Sequence, residues 1–124
     1  MIFVDTNIIV DCLRNYSPAV DYIESLMENE VLFSAITESE LLAGRENNDA
    51  QKREALLHFL HGWRKVEVTN AIAVRAGDMS RMCGLDIPDA IIAASALLSN
   101  SMLVTRNVKH FQKVKELRIE RPYS

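Results

Sequence analysis

From Pro88 to Leu98 the chain places Ile91, Ile92, Ala93, Ala94, Ala96, Leu97 and Leu98, so a helix there is apolar on nearly every side. Such a helix must be central and covered all round. The rest of the chain says what covers it. Residues 2–5 (Ile-Phe-Val-Asp), 31–35, 66–68 and 102–105 are short apolar runs that read as strands, and 117–120 reads as a last edge strand. Helical segments lie between them: 7–14, 18–29, Thr37 to about Ala43, 50–61, 70–82, and a short one over 107–115. Ser17-Pro18 starts the second, in which Val20, Ile23, Leu26 and Met27 share a helical spacing. Gly44 is expected to close the third as a C-cap. Asn47-Asn48-Asp49 forms a turn and cap before the fourth, with Leu56, Leu57 and Leu60 inward. Thr69 caps the fifth, which ends near Gly84. Strands alternating with helices predict an α/β protein, a three-layer α/β/α sandwich around a central, mostly parallel sheet.

At 124 residues the chain is expected to be one domain, 1–124, large enough to fold without disulfides. Its cysteines, Cys12 and Cys83, lack CxxC spacing and paired histidines, which argues against a zinc site and fits a reducing compartment. Asp5 follows a start with no basic region, unlike a signal peptide. No apolar run approaches membrane-spanning length, so a cytoplasmic location is expected. The net charge of −3 argues mildly against a nucleic-acid partner, but its distribution does not. Residues 1–100 carry 8 basic and 15 acidic side chains, and residues 101–124 carry 6 and 2. A basic tail beside an acid-rich body suits a site where cations recruit phosphate and acids hold metal, although a solvated charged surface gives the same numbers.

In open α/β sheets ligands bind beyond the carboxyl ends of the strands. There the sequence offers Asp5-Thr6-Asn7, Thr37-Glu38-Ser39-Glu40 and Arg106-Asn107-Val108-Lys109-His110, with Asp86 and Asp89 at the start of the apolar helix. Each acid has a structural explanation: Asp5 as an N-cap, Thr37-x-x-Glu40 and Asp86-x-x-Asp89 as capping boxes. Their convergence points elsewhere. A carboxylate ending a buried strand is costly unless neutralised, and several acids gathered at one edge hold their charge only around a cation. Oxygen donors without cysteine select a hard ion, Mg²⁺ or Mn²⁺, and phosphodiester hydrolysis is the natural reaction class.

Phe3-Val4-Asp5-Thr6-Asn7, Thr37-x-x-Glu40, Pro88-Asp89-Ala90-Ile91-Ile92-Ala93-Ala94 and Leu103-Val104-Thr105-Arg106-Asn107-Val108-Lys109-His110-Phe111 together resemble the PIN-domain ribonucleases. In length and motif order the chain is most like the VapC-type toxins of prokaryotic toxin–antitoxin pairs. The resemblance runs from residue 2 to about 111. It implies a metal-dependent endoribonuclease with Asp5, Glu40 and Asp89 as metal ligands and Thr6, Asn7 and Thr105 in support. It implies RNA such as tRNA as substrate, a small antitoxin on helix 18–29 and the segment 37–60, and a second copy of the chain. Many members carry a fourth acid at the position of Asn107 or His110. Here Asn107 can hydrogen-bond a metal-bound water, His110 can contact phosphate or sit exposed, and Asp86 is the other candidate.

Arg106, Lys109, Lys113 and Lys115 either grip phosphate or serve solubility. Arg45 pairs with an acid or reaches RNA. Trp63 covers the core or stacks on a base, the former preferred, and His58 and His61 read as surface residues. Two other classes stand beside the nuclease: a non-catalytic RNA-binding or protein-interaction module, and an acid-cluster phosphatase. The phosphatase lacks its Asp-x-Asp, since Asn7 occupies the second position.

Overall fold

A computed structural model describes residues 1–26 and 30–124; Met27, placed above in helix 18–29, lies outside them. Among the described residues, five parallel strands form one sheet in the order β3-β2-β1-β4-β5: β1 Ile2–Val4, β2 Val31–Ser34, β3 Arg64–Val66, β4 Met102–Val104 and β5 Ile119–Glu120. The helices are α1 Thr6–Leu13, α2 Ser17–Ser25, α3 Ala35–Leu42, α4 Ala50–His61, α5 Asn70–Cys83, α6 Ile87–Leu98 and α7 Val108–Phe111, with a 3₁₀ turn at Arg45–Asn48.

Successive side chains of a strand point to opposite faces, and the core divides accordingly. Phe3, Leu32 and Leu103, paired across β2, β1 and β4, share a cluster with Ile72, Ala76 and Met79 of α5, Ala90, Ile92 and Ala93 of α6, and Phe111. Val4, Val31, Phe33 and Val104 share the other with Ile8 and Ile9 of α1 and Leu56 and Leu60 of α4. Helices therefore cover both faces, as the alternation predicted. In α6 the run Ala90, Ile92–Ala96 is buried, while Ile87 and Leu98 at its ends are half exposed. The all-round burial expected of this helix holds for its middle alone.

Several boundaries differ for local reasons. Ser34, not Thr37, caps α3: its hydroxyl accepts from the Ile36 amide at 3.1 Å. Gly44 is not a left-handed C-cap, since Ala43 ends the helix and Gly44 has φ −65° and ψ 140°. Asn47 and Asn48 belong to the 3₁₀ turn; only Asp49 caps, accepting from the Gln51 amide. β3 lies two residues before the Val66–Val68 run, and the expected 107–115 helix shrinks to α7. Thr69 and Gly84 cap α5 as read, Gly84 with φ +72°. Leu57 is only partly buried. Trp63 packs edge-on against Phe33 and Phe59, the core-covering alternative.

Candidate active site

The chain runs from β1 outward through β2 to β3, then crosses to β4 on the opposite side of β1 and on to β5. The crevice at such a reversal lies beyond the carboxyl ends of the two central strands, here β1 and β4. Asp5 continues the ladder, its amide donating to the Val104 carbonyl at 3.0 Å, and the Thr105 amide donates to Glu120 at 3.1 Å. Asp5 and Thr105 thus leave adjacent strands side by side. A cleft of about 290 Å³ opens there, walled by Asp5, Thr6, Asn7, Glu40, Asp89 and Asn107, with Val10, Asp11, Arg14 and Arg106 completing its rim. Three acids that are 35 or more positions apart in sequence meet in it because β1, β2 with α3, and α6 all deliver there.

Asp5 is only 4% exposed. Its Oδ1 accepts from the Thr6 amide at 2.8 Å, the capping role, and its Oδ2 accepts from the Thr105 hydroxyl at 2.6 Å. Thr105 Oγ1 in turn accepts from the Asn107 amide at 2.9 Å. Burial pushes the Asp5 carboxyl from 3.8 up to about 6; the Thr105 bond opposes the rise, while Asp89 and Glu40 add to it. Burial also raises Asp89, with His110 opposing and Asp86 adding. The acids of this cleft repel one another, and Asp5 sits where solvent cannot relieve it.

Glu40 is held by Thr6, whose hydroxyl donates to Oε1 at 3.1 Å and lies 2.8 Å from the hydroxyl of the buried Thr37. The capping-box reading of Thr37-x-x-Glu40 therefore fails: Thr37 supports the site from within α3. Asp86 precedes α6 without a side-chain capping bond. It is exposed and outside the cleft walls, so it acts on Asp89 by charge alone. His110 Nδ1 lies 3.0 Å from Asn107 Nδ2 and 3.7 Å from Asp89 Oδ2, which brings His110 to the site although half its side chain is exposed. Asn7 Oδ1 accepts from the Arg106 amide at 3.4 Å.

Among the basic residues, Arg106 lines the cleft while Lys109 is exposed beyond its walls. Lys113 and Lys115 line a separate depression with Arg75 and Asp78, away from the cleft. Arg45 is exposed, as are His58 and His61. Asp11 and Arg14 were missed. The signal was present: Asn7, Val10, Asp11 and Arg14 follow the i, i+3, i+4, i+7 spacing of one helix face, and Asn7 had already placed that face at the site.

Among the described residues no three Asp, Glu, His or Cys side chains stand close enough to enclose an ion by themselves. The cleft is lined by carboxylates, with no cysteine or histidine in its walls, a donor set unlike a thiolate or imidazole cage. It fits a small hard cation that keeps several waters and takes few carboxylates directly. Thr105→Val, isosteric but without the hydroxyl, is expected to raise Asp5 further above about 6. It should also cost about 1–3 kcal/mol by leaving buried partners unsatisfied. Urea unfolding and an NMR titration of the Asp5 carboxyl check both parts.

The PIN domain family model matches residues 2–117. Two ribonucleases of Mycobacterium tuberculosis are similar along nearly the whole chain. VapC10 is 32% identical, covering 95% of this chain and 91% of its own, and VapC19 is 33% identical, covering 94% and 97%. Among solved structures, a toxin–antitoxin complex from Klebsiella pneumoniae superposes with a TM-score of 0.83 at 27% identity, over 100% of this chain and 99% of that one. VapBC2 from Rickettsia felis, bound to a DNA fragment from its promoter, gives 0.80 at 27% identity over 97% and 98%. The acids that meet at the ends of β1, α3 and α6 accordingly belong to a member of the PIN-domain family, similar to the VapC ribonucleases.

Proposed function

We propose that this chain, acting as one domain over 1–124, is a metal-dependent endoribonuclease and the toxin of a toxin–antitoxin pair. The observation that carries the reading is Asp5: a nearly buried carboxylate facing Asp89 and Glu40 across one cleft. That arrangement costs stability and is retained where a cation makes it useful. Asp5, Glu40 and Asp89 would hold Mg²⁺ or Mn²⁺ together with water, which completes the coordination the carboxylates alone do not. When bound, the ion supplies Lewis-acid activation of water and neutralisation of phosphate charge. Thr105 and Thr6 hold the Asp5 and Glu40 carboxylates by hydrogen bonds, which lessens the reorganisation that binding requires. Asn107, in the place of a fourth acid, presents an amide that can orient water, and His110 beside it and Asp89 can contact a phosphate. Arg106, with a weaker claim for Lys109, meets backbone phosphate.

The names of the similar ribonucleases and complexes support RNA as substrate and an antitoxin as partner; tRNA and a small protein antitoxin are the specific forms we propose. A groove of about 560 Å³ shares Val10, Arg14 and Glu40 with the cleft and continues over Leu41, Leu56 and Phe59. This is where we place the antitoxin, on the 37–60 segment; α2 lines a different cavity. A homodimer in the cytoplasm completes the reading; no described helix is long and apolar enough to cross a membrane.

The purified chain should cleave RNA with Mg²⁺ or Mn²⁺ and stop on addition of EDTA. Induced in bacteria, it should arrest growth, whereas Asp89→Ala should not. Cleavage that survives EDTA refutes the reading. Tight RNA binding without turnover would place the chain in the non-catalytic alternative.

A further inference from the structure

The rim of the cleft carries a cation that is held from several sides. Arg106 Nε lies 2.7 Å from Asp11 Oδ2, and the Tyr123 hydroxyl donates to that same oxygen at 2.7 Å. Asp11 is 14% exposed and Arg106 44%, so the acid lies beneath and the guanidinium reaches solvent. The Arg106 backbone is fixed as well. Its amide donates to Asn7 Oδ1, and its carbonyl accepts from Arg121 Nη2 at 2.8 Å. Tyr123 is seated edge-on against Tyr16, with ring centroids 5.6 Å apart. Burial and the Asp11 carboxylate push the Tyr123 hydroxyl well above its ordinary 10, so it remains a donor at any physiological pH.

With Nε engaged, both Nη groups are left to a ligand; among the described residues no other carboxylate pairs with this guanidinium. A free arginine loses much rotamer freedom on gripping phosphate, and one already fixed loses less. A cleft walled by Asp5, Glu40 and Asp89 repels a polyanion, so a fixed cation at its mouth is where a phosphate can first be held. We propose that Asp11 and Tyr123 are positioning residues that pre-set the Arg106 guanidinium at the cleft mouth as the docking point for a backbone phosphate of the substrate. The inference rests on the nuclease reading; it adds two residues from α1 and the C-terminal segment that sequence motifs did not single out.

The test is binding of a fluorescein-labelled random-sequence oligoribonucleotide, followed by anisotropy against salt, in an Asp89→Ala background where turnover is removed. Arg106→Ala should weaken binding about tenfold and lower the log–log salt slope by about one. Asp11→Asn and Tyr123→Phe keep the Arg106 charge. They should weaken binding about threefold to tenfold, the effect of one hydrogen bond, with the slope unchanged. Arg106→Lys should not restore binding, because a single ammonium cannot serve Asp11 and phosphate together. In the catalytically intact chain the same changes should raise KM for total tRNA and leave kcat nearly constant. If Asp11→Asn and Tyr123→Phe lower Tm yet bind RNA like the parent, the contact is only a staple for the C-terminal segment and the proposal falls. Failure of the unsubstituted chain to cleave RNA with divalent metal overturns the nuclease reading, while the binding series still decides the clamp. Absence of RNA binding by the unsubstituted chain overturns both.

Discussion

Asp5→Asn is expected to lose RNA cleavage by roughly a thousandfold or more, since several kcal/mol of charge stabilisation at the reacting phosphate depends on the metal it would hold. The same substitution is expected to make the metal-free protein more stable. The Asp5 carboxyl stands at about 6 in the fold against 3.8 ordinarily, so at neutral pH its ionisation costs about 3 kcal/mol of folding free energy. Between about pH 4 and pH 6 the folded state binds more protons at this group than the unfolded state does. Stability therefore falls as pH rises through that window, and the loss persists above it. Asparagine removes the charge and keeps an acceptor for the Thr6 amide, and its NH₂ can donate to Thr105 Oγ1. We expect a gain of about 1–3 kcal/mol at pH 7 in EDTA, shrinking toward zero near pH 4. Urea unfolding across that range checks it. An Asp5→Asn protein less stable than the parent at pH 7 would show that the carboxylate is already satisfied by the fold alone. With Mn²⁺ added, the parent should gain Tm and the variant should not.

Phe3→Ala is expected to destabilise the fold by about 3–5 kcal/mol, a large part of the stability of a domain this size. Phe3 is fully buried between Leu32 and Leu103 and packs with α5, α6 and α7. The sheet and the layer of α5, α6 and α7 close around that ring, so its removal leaves a cavity no neighbour can fill without moving the sheet. Phe3 is also two residues before Asp5, and a relaxed β1 would shift the carboxylate against Thr105. Denaturant melts give the first quantity, and Mn²⁺-induced change in Tm gives the second, expected to be smaller than in the parent. A loss under about 1 kcal/mol would mean that the layers repack around the gap.

The architecture was legible because burial and period coincide. In β1, β2 and β4, alternating residues go to two different cores, and α6 advertises its position through its composition. What misled was locally ambiguous. Ser34 and Thr37 are both good N-caps, and the choice depends on where β2 stops pairing with β3, which is not a local property. Val66-Glu67-Val68 has better strand propensity than Arg64-Lys65-Val66, yet an edge strand needs no apolar face, so pairing with β2 decided. Strand ends and motif spacing mark Asp5, Glu40 and Asp89, and the fold brings all three to one cleft. Thr37 was placed in the wrong role, since a cap and a buried hydroxyl partner look alike in sequence. Asp11 and Tyr123 meet across most of the length of the chain, and nothing in either segment announces the other.

The two outer strands have a consequence for how copies of the chain behave when crowded together. β3 presents Arg64 and Lys65, each tied to a glutamate. β5 is two residues long and is followed within two positions by Pro122, which has no amide hydrogen to offer. Neither margin gives a neighbouring molecule a flat, uncharged ribbon to zip onto. The protein is thereby guarded against growing into fibrils, a protection that costs it nothing in the centre where its chemistry lies.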